Sequence, residues 1–231
     1  MPDDPELSHV REFANKLRNS LPSSIGALEL GVRSKAPFQL LCTREALIWR
    51  TEELARNACD AVERDDLSIA AILTRALTES AALAWKLMEI LEARAKHAPE
   101  ELNEILMRLL FGTKNWSDMP DPFHVLSCID RLDKKVPGAR HTYDCLSEIA
   151  HPNWAGVCGL YSKIDAPTLT ARFGRGLWRP AENRALILNA MHAALGLFEC
   201  AYNRISDLMP AFLTELESIW PAEKKPGGEP S

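Results

Sequence analysis

The segment from Ile69 to Ile90 constrains this chain most. Ile69, Leu73, Ala76, Ser80, Leu83, Leu87 and Ile90 recur at alternating steps of four and three. That spacing predicts one helix with a single face turned to a core. The face mixes Ala and Ser with Leu, so a neighbouring helix can approach closely. Arg75, Glu79 and Lys86 interrupt the run. It therefore falls short of the roughly 18 uninterrupted apolar residues of a membrane span.

Helical periodicity continues on both sides. A first helix is expected over Glu6–Asn19. The connection Ser20–Ala36, with Gly26, Gly31 and Pro22, follows it. A second helix begins near Pro37, which suits a first helical turn, and runs to Glu63. Asp65 and Asp66 break the pattern and offer an N-cap to the third helix. A fourth spans Pro99–Phe111 and stops at Gly112. Residues 113–121 read as a loop, Pro122–Lys134 as a short helix, and Ala139–Ala150 as another, ended ahead of Pro152. Residues 159–164 and 168–173 then change character. Alternation of period two around a proline predicts a small β-hairpin or extended excursion. A long helix from Ala181 to Leu216, with a kink at Pro210, closes the pattern. The expected fold is an all-α antiparallel bundle with one small β insertion. Its organisation is an N-terminal helix and connection (1–36), a bundle domain (37–220) and a disordered tail (221–231).

Composition narrows the function classes. With 46% hydrophobic and 26% charged residues, 231 residues can bury a core without metal or disulfide staples. MPDDPELSHVREF has no basic stretch leading into an apolar run, so the expectation is a cytoplasmic chain with no membrane contact. The six cysteines form no CxxC pair and are expected as free thiols. A net charge of −5 argues against a general nucleic-acid binder and leaves room for a local basic patch.

Three constellations carry possible chemistry. On the helix ending at Ala150, Arg140, Asp144, Ser147 and His151 fall on one polar face, with Tyr143 at its edge. His151 closes the helix, and Asn153 and Trp154 follow beside it. A histidine so placed is a candidate general acid or base; the competing reading is a helix stop. On the third helix, Glu79 sits at the margin of the apolar stripe and needs a partner. Arg75, one turn away, is the local candidate; Tyr143 or His151 is the tertiary one. In the third constellation, Arg172, Arg175 and Arg179 are interleaved with Phe173 and Trp178. Such a surface suits phosphates and unstacked bases, or else forms a solvated hairpin edge. A pocket around Trp85, Trp154 and Trp178 is a further possibility. His141 and Cys145 stand four apart, but the spacing gives neither HExxH nor paired CxxC, so no metal and no cofactor are expected.

The pattern Arg75-x-x-x-Glu79, then Tyr143-x-x-Leu146-Ser147-x-x-x-His151-Pro152-Asn153, resembles a group of bacterial proteins known only as domains of unknown function. Their architecture is similar to the HEPN superfamily (higher eukaryotes and prokaryotes nucleotide-binding). The resemblance covers roughly residues 40–205. It implies a helical bundle, a homodimer and a stress or defence setting. Active HEPN proteins carry an Arg-x(4–6)-His motif that cleaves RNA in a dimer without metal. None of the six histidines here has an arginine at that distance. Arg140 precedes His151 by eleven residues, about 16 Å along a helix axis. The resemblance therefore implies a non-enzymatic interaction module with a protein or self partner. The alternative is a metal-independent ribonuclease or nucleotide-handling enzyme. There His151 would be the acid/base, Arg75 or Arg140 would bind phosphate, and Glu79 and Tyr143 would orient.

Overall fold

The computed structural model describes residues 4–219. The expected tail at 221–231 lies outside them. Seven helices are described: α1 (Pro5–Asn19), α2 (Ala36–Glu63), α3 (Leu67–Glu92), α4 (Pro99–Phe111), α5 (Val125–Asp133), α6 (Ala139–Ala150) and α7 (Pro180–Ile219). Between α6 and α7 come a π-helical turn, Ala155–Gly159, and an antiparallel pair, β1 (Ser162–Asp165) and β2 (Thr170–Phe173). The chain is an all-α bundle with a small β insertion, as the periodicities predict.

α3 is the hub. It packs most extensively on α7, then on α2, and takes α6 and α5 along its remaining side. Its inward line is Ala70, Thr74, Leu77, Ala81, Ala84, Met88 and Leu91, all buried. This corrects the stripe read from sequence. Ser80, Leu87 and Ile90 are buried, but Leu73, Ala76 and Leu83 are half-buried and Ile69 is 48% exposed. A helix ringed by four others is apolar in more than one register, and the smaller residues mark the closest approach. α3 and α7 are each long and apolar enough by composition to cross a membrane. Within the chain 56% and 44% of those windows, respectively, is buried.

Local boundaries follow their caps. Asp4 accepts from the backbone N–H groups of Glu6 and Leu7 and starts α1 at Pro5. Asp66 occupies the N-cap position of α3, but its carboxylate is taken by Arg64 and Arg175 instead of the helix N–H groups. α5 begins three residues later than expected, because His124 is still extended. α7 continues through Pro210, which lies inside it.

Candidate functional site

The turn between α5 and α6 sets the site. Gly138 has φ of 96°, a conformation that favours glycine. Asp133 Oδ1 accepts from the N–H groups of Gly138 and Arg140, which fixes where α6 starts. Tyr143 then falls on the face that meets α3. Sequence places it at the edge of the polar face; the structure buries it to 2% exposure. An amphipathic helix buries its boundary residues when a neighbour supplies polar partners, and α3 does so here.

Those partners are the expected pair. The Tyr143 hydroxyl donates to Glu79 Oε1 at 2.8 Å. It accepts from Arg75 Nη2 at 2.8 Å and Nε at 3.1 Å. Arg75 and Glu79 complete the triangle with an ion pair of 3.4 Å. Burial holds the Tyr143 phenol above its ordinary pKa; Arg75 opposes that shift and Glu79 adds to it. Each polar group is thus satisfied by the other two. This is the arrangement of a helix-to-helix tie.

The rest of the polar face does not join it. Arg140 Nε bonds the Asp144 carboxylate at 2.9 Å and its Nη1 reaches Asp130. Ser147 Oγ donates to the Tyr143 carbonyl at 2.8 Å. His151 is exposed, and among the described residues its ring makes no hydrogen bond or ion pair. It stands eight residues after Tyr143, so about 12 Å further along the axis. Its own N–H closes α6 on the Ser147 carbonyl. Asn153 holds the next turn: its side-chain amide donates to Glu148, and its Oδ1 accepts from the Gly156 N–H at 3.0 Å. The structure joins Arg75, Glu79 and Tyr143, and leaves His151, Arg140, Ser147 and Asn153 outside. His141 Nε2 lies 3.6 Å from Cys145 Sγ, and among the described residues no third ligand-type side chain gathers there.

The basic segment is a solvent-exposed ribbon. Ser162 faces Phe173, Lys163 faces Arg172, Ile164 faces Ala171 and Asp165 faces Thr170. Directly opposed residues share a face and successive ones alternate. One face therefore carries Ser162, Ile164, Ala171 and Phe173, and the other Lys163, Asp165, Thr170 and Arg172. Ile164 is 70% exposed, Phe173 82% and Leu169, at the tip, 86%. Arg175 leaves the ribbon to pair with Asp66 at 2.7 Å. Arg179 lies over the Trp178 ring at 5.6 Å. Trp154 packs edge-on against Trp178, with ring centroids 5.2 Å apart. Trp85 belongs instead to the core around α5, so the three tryptophans do not form one pocket.

Comparison with family models, with curated proteins and with solved structures finds no match. Two features went unread in the sequence. Lys163 opposes Arg172 through strand register, which alternation within each strand does not fix without the turn that joins them. His9 of α1 and His192 of α7 stack edge-on at 4.9 Å, a contact between residues with no shared motif.

Proposed function

We propose that this chain is a non-enzymatic, HEPN-like helical bundle that works as a cytoplasmic self-association module, using the β1–β2 ribbon as its docking arm. The family resemblance supports a bacterial stress or defence setting. The observation that carries the reading is the ribbon itself. A two-stranded hairpin is marginal alone in water, and this one exposes Ile164 and Phe173 on one face. On the other, Lys163 and Arg172 oppose each other directly; Asp165, one pair further along that face, forms no ion pair with either among the described residues. Like charges so placed destabilise a strand pair unless something anionic covers them.

Charge favours a second copy as the cover. Residues 159–179 hold four cations and one acid, a net +3; against the whole-chain −5, the remainder carries −8. Glu100 and Glu104 stand one turn apart and exposed on α4, with no ion pair among the described residues. Ribbon-to-ribbon pairing would bring the Lys163–Arg172 pairs of two copies together. An arm laid on the acidic helices of the other copy avoids that, and a two-fold axis closes the contact. The same acidic body repels RNA. The alternative enzyme also lacks support from geometry, because Glu79 and Tyr143 saturate one another away from His151.

Sedimentation velocity against salt tests this. The expected result is a dimer at low ionic strength that dissociates as salt rises, and a monomer for the Lys163→Glu/Arg172→Glu double variant. A monomer at every salt concentration overturns self-association, whether or not the ribbon then binds RNA. A dimer untouched by the double variant overturns the arm. RNA cleavage in EDTA that His151→Ala abolishes overturns the non-enzymatic reading.

A further inference from the structure

A second charged feature lies away from the ribbon, between α3 and α5. His124, Ser127, Arg131 and Lys134 follow at steps of three, four and three, so they form one stripe along α5 and its ends. Lys86 of α3 and the Phe123 ring line the same concavity, whose volume is about 350 Å³. Asp130 is itself part of the lining and Glu89 stands beside it, and both carboxylates are already engaged. Glu89 pairs with Arg131, and Asp130 with Arg140. Lys86 and Lys134 have no carboxylate partner among the described residues.

Lys86 is the unusual member. It is half-buried, and its ammonium lies 5.6 Å from the centroid of Phe123. Burial lowers its pKa from the ordinary value and the Arg131 guanidinium lowers it further, outweighing the opposing effects of Cys128 and of Glu89, whose carboxylate is held by Arg131. A cation held in a partly desolvated position beside another cation is unfavourable without an anion. Lys134, by contrast, is exposed.

We infer that this concavity binds a small phosphate-bearing molecule, with its phosphate between Lys86 and Lys134 and within reach of His124 and Ser127. Two unpaired ammonium groups match a dianion. The lining draws its donors from both α3 and α5, which suits an acceptor with several oxygens. The volume falls within the range of small-molecule pockets and exceeds a single phosphate, and Phe123 supplies an apolar wall for what the phosphate carries.

Calorimetric titration with inorganic pyrophosphate and with ADP, at fixed ionic strength, tests the site. Saturable binding of either probe is expected, weakened at least tenfold in both Lys86→Met and Lys134→Met. Pyrophosphate binding alone assigns an inorganic ligand; tighter ADP binding assigns an organic phosphate. Lys86→Met is expected to fold with an unchanged or higher Tm, since it removes a desolvated charge. Absence of saturable binding for both probes overturns the site. So does binding that neither substitution weakens in a folded variant.

Discussion

Tyr143 and Glu79 meet across the α3–α6 interface, with the phenol hydroxyl donating to the carboxylate at 2.8 Å while Arg75 donates to the same hydroxyl. One oxygen thus mediates between an acid and a base that lie one turn apart on α3. Tyr143→Phe keeps the ring in the core and deletes the hub of the triangle. Arg75 and Glu79 then retain only their 3.4 Å contact. The expected loss is about 1–3 kcal/mol, that of a partly buried hydrogen-bonded group left short of partners. Urea unfolding of the two proteins measures it. An unchanged midpoint would show that the triangle is not a structural tie.

Asp4 gives the fold an acid-sensitive fastening. Arg184 of α7 bonds its carboxylate, which also caps α1. Its pKa is lowered from 3.8, first by the Arg184 hydrogen bond and then by the Leu7 N–H. A carboxylate depressed in the folded state stabilises at pH above its unfolded value and loses that contribution as pH falls through the folded one. Asp4→Ala should therefore destabilise the protein by about 1 kcal/mol at neutral pH, and the gap should close in acid, as pH falls through the lowered folded-state value. Denaturant midpoints at the two pH values decide it; a gap that persists in acid refutes the linkage.

Sequence made the helices legible because each carries its own period and its own stops. Gly112 and Pro152 end α4 and α6 through local geometry, with no need of tertiary information. The rotation of α3 was not legible. With neighbours on four elements, its Ile69–Leu73–Ala76 line is as regular as the Ala70–Thr74–Leu77 line that faces inward, and only the neighbours choose between them. The candidate site divides in the same way. The need of Glu79 for a partner could be read from its position, and Tyr143 was among the named candidates. That Tyr143 is buried and His151 left in solvent depends on how α6 is turned by the Asp133–Gly138 corner. The ribbon was visible as alternation, but the exposure of both its faces was not, since a strand pattern does not state what covers it.

The cysteines should separate into reactive and silent classes. Cys158 and Cys200 are exposed, whereas Cys59 and Cys128 are buried. Burial pushes the Cys59 thiol up to about 11, and it raises Cys128 as well. The thiolate is the reactive form, so both reasons, access and charge, protect these two. Titration with a thiol-specific chromogenic reagent at pH 8 should show Cys158 and Cys200 reacting fast. Cys59 and Cys128 should appear only on denaturation. Rapid native-state labelling of Cys59, located by peptide mapping, would contradict the packing of α2.

The turn after α6 depends on one missing side chain. A Cβ at Gly156 would stand 2.1 Å from the His151 carbonyl oxygen and 2.6 Å from that of Ile149. Both are backbone atoms at the end of a helix, so they cannot rotate away as a side chain tip would. The Asn153 contact to the Gly156 N–H fixes the same turn from the other side. Gly156→Ala is therefore expected to destabilise the protein by about 1 kcal/mol or more. It should also alter tryptophan fluorescence, because Trp154, two residues before, packs on Trp178. Gly196 supplies the control. It lies inside α7, and a Cβ there would meet nothing within 4 Å. Gly196→Ala should raise stability by about 0.5–1 kcal/mol through helix propensity alone. Thermal unfolding of the two variants beside the parent should move Tm in opposite directions, and a neutral Gly156→Ala would mean that the His151–Asn153 turn is looser than its contacts require.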